Sequence, residues 1–399
     1  MCTLKENLDK YIVGLLLLGC WRKRMENHLP IRILQAFVVN DKGGLTGYIC
    51  QNYRFIDKSK VQFDFLTFEK DKLDFEDEFT HMGAKFYHIS RPSNPISYME
   101  SLKRILRQTH YAAIHFNMSY ANFIPLIIVR WLGANKIIMH SHSTAIDDSR
   151  AFIRLIKTFI HRIGRFLMPY MADEYLACSS LAASWMFSEK IIQSKHYHLV
   201  NNAIDVAKFK YNRDVSKVMR EKLKIKKNDF VIGHVGRFTY QKNHDFLISI
   251  FKKVHEKVNN SRLLLIGDGP EERLIKRKVK LLGLDESVLF LGKRNDVNHL
   301  FQAMDCFILP SRFEGLAIVG VEAQAAGLPC IFSNTISKEI NVSKKAKFIS
   351  LDDDEEWVNS TIYIYNNYVR LQSESLIRSS GYDIKDAVFK MESIYEFDL

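Results

Sequence analysis

The chain has 399 residues, of which 47% are hydrophobic and 26% are charged. This is a globular composition with enough apolar material for packed cores, and the length suggests two ordinary domains. Eight Pro and 18 Gly exclude a collagen-like chain and leave no room for a long low-complexity linker. The net charge of +12 favours anionic partners (nucleic acid, acidic lipid or phosphorylated small molecules) without choosing among them.

The N-terminal segment and the cysteines indicate the compartment. The apolar run Tyr11–Trp21 is too short to span a bilayer. It lacks the net basic leader of a secretory signal, and the Arg22–Arg24 run behind it would oppose export. We therefore expect residues 1–30 to be a short extension ahead of the fold, with Met25 as an alternative start. The six widely spaced cysteines predict reduced, mostly buried thiols of a cytoplasmic protein.

The first half of the chain alternates apolar runs with helix-length amphipathic stretches. Because the runs are continuously apolar rather than alternating, they predict strands buried on both faces of a parallel sheet. Repeated strand–helix units favour a doubly wound α/β domain over residues 31–207. The predicted strands are 31–39, 61–68, 85–90, 111–117, 136–142, 174–179 and 197–202.

The charged stretch 208–230 interrupts this pattern and is interpreted as a link plus a leading helix. The pattern then restarts, which predicts a second α/β sheet of similar size in a domain over 208–380. Residues 381–399 are expected to form a C-terminal helix that packs back on the first domain. A ligand would bind where strands end, in a crevice between the two domains. The predicted strands are 230–237, 262–269, 288–292, 305–311, 328–334 and 346–351.

One predicted helix carries two stripes of side chains. It begins after Ser149, a plausible N-cap, and ends at Pro169. A basic amphipathic helix with bulky apolar residues can lie on an anionic membrane, whereas the alternative is a helix packed on the sheet with a solvated basic face. The basic stripe comprises Arg150, Arg154, Lys157, His161 and Arg165, and the apolar stripe comprises Ile153, Ile156, Ile160, Ile163 and Leu167.

The segment LPSRFEGLAIVGVEAQAAGLP (309–329) combines a strand that ends at Ser311, a tight turn and a helix N-terminus. Free N–H groups and the helix dipole there attract phosphate. Glu314, in the turn, can accept hydrogen bonds from sugar hydroxyls. Glu322, about two turns into the helix, can reach a pair of ribose hydroxyls. The alternative is a structural helix with a solvated glutamate.

A second segment, HVGRFTYQKN (234–243), places two cations after a strand that ends at Gly236. Arg237 and Lys242 suit a diphosphate, because arginine binds phosphate in a forked geometry and lysine as a point charge. The alternative is a pair of surface cations.

Two further segments follow strands of the first domain. Adjacent glycines at Gly43 and Gly44 let backbone N–H groups approach a ligand closely. His140 and His142 end the fifth strand at the crevice, where a histidine can hydrogen-bond a sugar hydroxyl. A solvent-edge pair or a metal pair are the alternatives, and metal is least favoured because no third ligand is nearby in sequence. No P-loop and no full dinucleotide fingerprint is present in the sequence.

Together these segments resemble the retaining glycosyltransferases of the GT-B fold, in glycosyltransferase family four, and most closely the bacterial capsular and exopolysaccharide branch. The resemblance covers residues from about 31 to 340 and is densest in 231–334. VNNAID (200–205) resembles the inter-domain segment of the family. The signatures are VGRFTYQKNHDFLI, LLLIGDGPEE, FLGKRNDV and PSRFEGLAIVGVEAQAAGLPCI, the last with the family's E-x7-E spacing.

The resemblance implies an acceptor-side N-terminal domain and a donor-binding C-terminal domain. Relatives usually carry Glu near position 46, where this chain has Thr46, and Pro at position 317, where it has Ala317. On the donor side, the resemblance implies that Gly236, Arg237 and Lys242 bind the diphosphate, that the Gly315 and Leu316 amides contact phosphate, and that Arg294 makes a further donor contact. It implies that Glu314 binds the sugar and Glu322 the ribose. In the first domain, it implies an acceptor or phosphate loop at Gly43 and Gly44 and places His142 beside the reacting sugar.

The implied activity is transfer of a sugar, with retention, from a UDP-sugar to a glycan or lipid-linked acceptor in capsular or exopolysaccharide biosynthesis. Fixed positive charge stabilises the leaving diphosphate, so no metal cofactor is expected. The acidic run 352–356 is interpreted as a helix start rather than a metal site. Arg150, Arg154, Lys157 and Arg165 are predicted to meet an anionic membrane, which places the protein peripherally on the inner face of the cell membrane.

Three alternatives remain open at this point. A non-hydrolysing sugar-nucleotide epimerase shares the two-domain architecture but needs no acceptor. A basic nucleic-acid-binding protein is disfavoured because the strands lack interleaved aromatic and basic residues, and no nucleic-acid partner is expected. An inactive regulatory partner is disfavoured because Arg237, Lys242, Glu314 and Glu322 are all present.

Overall fold

The structure is a computed structural model, and it describes residues 29–40, 44–148, 150–367, 369–370 and 373–396. The predicted extension 1–30 therefore lies almost wholly outside the described residues, as do Gly43 and Ser149. Among the described residues, no helix is both long and apolar enough to cross a bilayer.

The first domain is built on a parallel seven-stranded sheet in the order β3-β2-β1-β4-β5-β6-β7. Its strands are β1 (Ile31–Val38), β2 (Val61–Thr67), β3 (Phe86–His88), β4 (Ala113–Met118), β5 (Ile137–Ser141), β6 (Glu174–Ala177) and β7 (Tyr197–Leu199). Its helices are α1 (Gly44–Phe55), α2 (Glu76–His81), α3 (Pro95–Gln108), α4 (Ile124–Trp131), α5 (Ala151–Met171), α6 (Ser180–Met186), α7 (Glu189–Ile192) and α8 (Val206–Phe209).

The second domain repeats the design with a parallel six-stranded sheet in the order β10-β9-β8-β11-β12-β13. Its strands are β8 (Phe230–Val235), β9 (Ser261–Ile266), β10 (Val288–Phe290), β11 (Cys306–Leu309), β12 (Cys330–Ser333) and β13 (Lys347–Ile349). The helices of this half are α9 (Arg213–Lys222), α10 (His244–Lys257), α11 (Glu272–Leu281), α12 (Val297–Ala303), α13 (Ile318–Ala325), α14 (Asp354–Asn367), α15 (Glu374–Ser379) and α16 (Ile384–Tyr395).

All thirteen predicted strands are present, and the predicted fold class of two facing doubly wound sheets is confirmed. In each sheet the strand order reverses next to the first strand, between β1 and β4 and between β8 and β11. Ligands bind at such switch points, beyond the carboxyl ends of the strands. The loops after these four strands therefore mark the place for a site.

The chain crosses between the domains twice, and the two crossings are adjacent. Ile204 donates its N–H to the Tyr382 carbonyl at 2.9 Å and accepts from the Ile384 N–H at 2.9 Å. Beyond this point α16 packs on the first domain, where Ile384, Val388 and Tyr395 join the core between α1 and the sheet. The C-terminal helix thus belongs spatially to the first domain.

Smaller expectations have mixed outcomes. Cys50, Cys178, Cys306 and Cys330 are buried, as predicted, and the acidic run 352–356 does start a helix at Asp354. The prediction that Pro169 ends its helix was wrong. Helix α5 begins after Arg150 and continues to Met171, with the proline inside its last turn.

Candidate active site

The loop after β8 brings a lysine side chain over a glycine. A Cβ added at Gly236 would lie 2.9 Å from Lys242 Cδ, so the missing side chain leaves room for the lysine stem. Gly267 lies against the same loop with φ +137°, and a Cβ there would be 2.1 Å from the Gly236 carbonyl oxygen. Glycine is therefore needed at position 267, where a side chain would meet backbone, whereas a side chain at position 236 would displace the stem of Lys242. Arg237, in the same loop, is exposed.

The loop after β11 presents Glu314 to this lysine. Lys242 Nζ lies 2.7 Å from Glu314 Oε1, and the two side chains are only 15% and 8% exposed. The same oxygen accepts from Ser311 Oγ at 2.8 Å, and Gln241 Nε2 donates to the other carboxylate oxygen at 2.9 Å. The carboxylate is thus fixed by three donors at the switch point of the second sheet.

Helix α13 begins at Ile318, a few residues after Glu314. Glu322 is its fifth residue, so it lies about one turn into the helix and not two as predicted. Its side chain lines a cavity of about 300 Å³ between the domains. Burial raises the pKa of Glu322 to about 7, and Lys208 and Lys242 oppose this rise.

The opposite wall of this cavity comes from the first domain. Gly44 starts α1 and faces α13, because a Cβ at Gly44 would lie 3.8 Å from Ile318 Cγ2. The cavity lining comprises Gly44, Gly47, Gln51, Arg54, Phe55, Asp205, Lys208, Phe209, Val235, Asn295, Val297, Asn298, Ile318, Val319 and Glu322. Two expected ligand-binding elements, the glycine turn and the helix with the second glutamate, therefore meet across one cleft.

The two domains touch where Gly315 meets the end of β5. A Cβ at Gly315 would lie 2.1 Å from the His142 carbonyl oxygen and 2.8 Å from Ser143 N, so only glycine permits this approach. Thr144 Oγ1 donates to the Glu314 carbonyl at 3.1 Å, and Ser179 Oγ donates to the Gly315 carbonyl. The predicted residues His142, Glu314 and Gly315 are therefore neighbours.

His140 and His142 belong to a buried polar cluster. His140 is fully buried and His142 half-buried, with ring centroids 3.9 Å apart, so neither is a solvent-edge histidine. Burial lowers the pKa of His142 to about 3 and that of His140 well below its usual value. Both rings are neutral near pH 7 and can exchange hydrogen bonds without carrying charge.

Sequence reasoning missed Asp147, in the loop after β5. Its carboxylate lies near Thr239 and Arg237 of the second domain and near Glu314. Partial burial raises its pKa, while Thr239 and Arg237 act in the opposite direction. Asp147 belongs to the first domain and Arg237 to the second. Their proximity could be expected only once the relative placement of the two sheets was known.

Arg294 lies in the loop after β10 and forms a forked pair with Asp296, at 2.7 and 2.6 Å. Its neighbours Asn295 and Val297, and not Arg294 itself, line the cavity. The predicted donor contact of Arg294 stays a prediction. So do the roles assigned to Leu316, which is buried beside Gly315, and to Gly43.

Helix α5 buries one residue of the predicted basic stripe. His161 is not on a solvated basic stripe: it is buried, its ring stacks on Trp185 at 4.0 Å, and its Nδ1 accepts from the Ala121 N–H at 3.0 Å. Arg150 and Lys157 both pair with Asp148, at 3.0 and 2.9 Å.

The most exposed apolar face of α5 is also not the predicted isoleucine stripe. Five side chains that are 65–75% exposed share one helical face, and α4 adds three exposed apolar residues. The prediction missed this surface, here called the aromatic face. It consists of Phe152, Leu155, Phe159, Phe166 and Tyr170 of α5 with Ile124, Ile127 and Trp131 of α4.

Two doubly wound sheets whose switch points share one cleft define the GT-B class of glycosyltransferase fold. Two family models match the chain in agreement with this: "Glycosyltransferase Family 4" over residues 42–208 and "Glycosyl transferases group 1" over residues 215–373. The chain belongs to glycosyltransferase family four, and it is a glycosyltransferase.

Similar proteins include other bacterial glycosyltransferases. A putative glycosyltransferase of Bacillus subtilis, EpsF, is 29% identical over 313 residues, covering 78% of this chain and 81% of the relative. The UDP-Gal:alpha-D-GlcNAc-diphosphoundecaprenol alpha-1,3-galactosyltransferase of Escherichia coli is 24% identical over 309 residues, covering 74% of this chain and 78% of the relative.

Solved structures share the fold at low identity. Anabaena HepE in complex with UDP-glucose superposes with a TM-score of 0.74 at 18% identity, covering 91% of this chain and 99% of that one. Sucrose-phosphate synthase from Thermosynechococcus elongatus gives a TM-score of 0.75 at 16% identity, covering 92% and 98%. The predicted family, fold and enzyme class are therefore confirmed, whereas the individual site roles stay predictions.

Proposed function

We propose that this protein transfers a sugar, with retention of configuration, from a UDP-sugar to a lipid-linked glycan during exopolysaccharide assembly. The observation that carries the proposal is the Lys242–Glu314 pair beside the N-terminus of α13. The name of the Escherichia coli relative, which gives a UDP-sugar donor and a lipid-linked acceptor, and the UDP-glucose bound by HepE support the choice of donor and acceptor class.

Charge stabilisation is the proposed source of catalysis. As the bond between the anomeric carbon and the donor phosphate breaks, negative charge grows on the phosphate. Lys242, Arg237 and the amides at the start of α13 would stabilise that charge more in the transition state than in the ground state. The proposal needs no divalent metal, since fixed cations take that role.

Retention would follow from attack on the same face of the sugar that the phosphate leaves. The bond from the anomeric carbon to the phosphate oxygen breaks, and a bond to the acceptor oxygen forms. The acceptor proton passes to the departing phosphate oxygen. Glu314 would hold donor sugar hydroxyls, and neutral His142 would accept a hydrogen bond from the sugar.

The test is nucleotide release from a panel of nucleotide-sugars, with a lipid-linked acceptor extract, with and without chelator. The proposal predicts release from a UDP-sugar that depends on the acceptor and persists in chelator. Glu314→Gln should abolish transfer and keep the fold, whereas Glu356→Gln, an exposed carboxylate on α14, serves as the matched control. Full activity of Glu314→Gln, or loss of activity in chelator, would contradict the proposal.

We also propose that the enzyme works on an anionic membrane surface, peripherally on the inner face of the cell membrane. A lipid-linked acceptor keeps its reacting end near the bilayer, and the chain carries a net charge of +12. The aromatic face offers side chains suited to the headgroup region, and the exposed cations Arg154 and Arg162 lie on the same helix, α5. The predicted contact through Arg150, Lys157 and Arg165 is thus supplemented by apolar insertion.

A further inference from the structure

A row of polar side chains crosses one face of the first sheet. Gln35 on β1 lies opposite His115 on β4, and Asn117, two residues on, lies opposite His140 on β5. Side chains in register on neighbouring strands share a face, and His142 follows His140 on the same face. This face is covered by α1 and α16.

Hydrogen bonds connect these side chains into two arms that meet at Gln35. In the cleft arm, Asn117 Nδ2 donates to Gln35 Oε1 at 3.0 Å, and His142 Nε2 lies 3.0 Å from Asn117 Oδ1. In the helix arm, Gln35 Nε2 donates to Tyr395 Oη at 3.1 Å.

The helix arm continues from α16 back into the sheet. The Tyr395 hydroxyl lies 2.6 Å from His115 Nδ1, and His115 Nε2 lies 3.2 Å from His140 Nδ1. Gln35 and Asn117 are buried, at 2% and 7% exposure, so water does not readily replace these contacts.

With Gln35 and Asn117 oriented as they are in these contacts, counting donors and acceptors sets the direction of both arms. An amide oxygen accepts and an amide nitrogen donates. Since Asn117 Oδ1 faces His142, that histidine must carry its proton on Nε2 and a lone pair on Nδ1. Since Tyr395 receives a hydrogen bond from Gln35, its own proton goes to His115 Nδ1, and His115 then donates from Nε2 to His140.

Rotation of one amide would reverse the whole network. With Gln35 Oε1 and Nε2 exchanged, Asn117 would also turn, and every histidine in both arms would take the other tautomer. Burial lowers the pKa of His115 to about 3, as it does for His142, so protonation does not relax the choice near pH 7. The tautomers of the two arms are therefore coupled.

We propose that Gln35 is a positioning residue that fixes the tautomer of His142, so that Nδ1 keeps a lone pair, and that it ties this choice to the C-terminal helix through Tyr395. The tautomer is independent of the proposed function, and only the expected loss of kcat rests on it. His142 Nδ1 has no hydrogen-bond partner within the described residues, and neither has Tyr48 Oη, whose ring lies 5.0 Å from that of His142.

The test reads ring nitrogens by NMR in the full chain labelled with ¹⁵N-histidine. The His142 signals are identified by their loss in His142→Gln. The proposal predicts a protonated Nε2 and an unprotonated Nδ1 in the wild type near pH 7.5. Gln35→Leu should mix or exchange the two signals and lower kcat about tenfold, while the KM for the donor changes less than about twofold.

Two further variants separate the arms from a general loss of packing. Tyr395→Phe removes the acceptor of Gln35 Nε2 but keeps the ring, so it should change the His115 and His140 signals and also weaken the preference of His142 for a protonated Nε2. Gln62→Leu is the matched control, because Gln62 is a buried glutamine of the same sheet that bonds Tyr53 Oη at 2.6 Å, away from the histidines. It should leave all three histidines unchanged.

A protonated Nδ1 on wild-type His142 would overturn the proposal, and this holds even if Gln35→Leu does not fold. An unchanged His142 spectrum in folded Gln35→Leu would overturn it as well. Because the nitrogen signals do not depend on donor or acceptor, failure of the proposed glycosyl transfer would leave them readable. The two hypotheses can therefore fail separately.

Discussion

Lys242 Nζ lies 2.7 Å from Glu314 Oε1, and this contact joins the loops after β8 and β11 at the switch point of the second sheet. The pair places a cation and a carboxylate side by side where the proposed donor would bring its diphosphate and its sugar. Ser311 and Gln241 hold the carboxylate in place from the other sides. The pair is therefore arranged before the donor arrives, which reduces the reorganisation needed during reaction.

Lys242 and Arg237 are both expected to bind the donor diphosphate, but only Lys242 is expected to contribute to the stability of the fold. Lys242→Met leaves Glu314 mostly buried without its charged partner, so we expect a loss of about 2 kcal/mol in the free energy of unfolding together with weaker UDP binding. Arg237→Met should weaken UDP binding with little change in stability, because Arg237 is exposed. Calorimetric titration with UDP and chemical denaturation measure the two effects. Unchanged UDP affinity in both variants would remove these cations from the donor site.

The raised pKa of Glu322 predicts a pH effect on stability. The folded protein holds this proton up to a pH of about 7, whereas the unfolded chain releases it near pH 4.5. The cost of burying the carboxyl group is therefore absent below pH 4.5 and complete above pH 7. Glu322→Gln should raise the free energy of unfolding by on the order of 2–3 kcal/mol at pH 8 and by clearly less at pH 5.

The same group should make donor binding depend on pH. If the carboxylate accepts hydrogen bonds from ribose hydroxyls, UDP-glucose should bind more tightly as the pH rises from 6 to 8, and Glu322→Gln should remove that slope. UDP-glucose is the suitable probe because its phosphates do not titrate in this range. An identical slope in the variant would show that another group is responsible.

Gly315→Ala tests whether contact between the domains is needed for activity. The added methyl would clash with the His142 carbonyl, which is backbone and cannot turn away. We expect at least a tenfold loss of activity and faster hydrogen exchange at residues 142–144 and 314–316.

Gly47→Ala is the control for stability, because a Cβ there meets nothing within 4 Å. It should be neutral or stabilising by about 0.5–1 kcal/mol, as expected inside a helix. Full activity of Gly315→Ala would show that this contact is dispensable.

Much of the fold could be predicted because parallel strands buried on both faces leave continuous apolar runs. The loops at 236–242 and 311–317 were also predictable, since their glycines, cations and glutamate follow strands directly. Gln35, His115 and Asn117 were missed, although polar residues two apart inside apolar strands carry the signal. Only the register of three strands that are distant in sequence shows that they form one network.

The orientation of α5 could not be derived from its sequence, because the helix has apolar residues on more than one side. Two contacts with other parts of the chain determine which side of α5 is packed. A Cβ at Gly164 would lie 1.8 Å from the Ala121 carbonyl oxygen, so the helix approaches closely there, and His161 stacks on Trp185. These partners come from elsewhere in the chain. The sequence pattern therefore identified the helix, its basic stripe and one apolar stripe, but it did not identify the aromatic face as the most exposed apolar side.

This difference yields a prediction that separates charge from apolar insertion at the membrane. Flotation with vesicles containing anionic lipid should show binding by the wild type. Phe159→Ser with Phe166→Ser should weaken binding about tenfold or more, since each buried aromatic side chain contributes on the order of 1–2 kcal/mol. Changing Arg150, Arg154, Lys157 and Arg165 to Glu should also weaken binding, and added salt should reproduce that effect in the wild type but not rescue the serine variant. Phe389→Ser, an equally exposed phenylalanine on α16, is the control and should bind as the wild type does. If the Phe159→Ser, Phe166→Ser double variant also binds like the wild type, the aromatic face is not the membrane contact. If neither the wild type nor any variant floats with the vesicles, the proposed peripheral location is wrong.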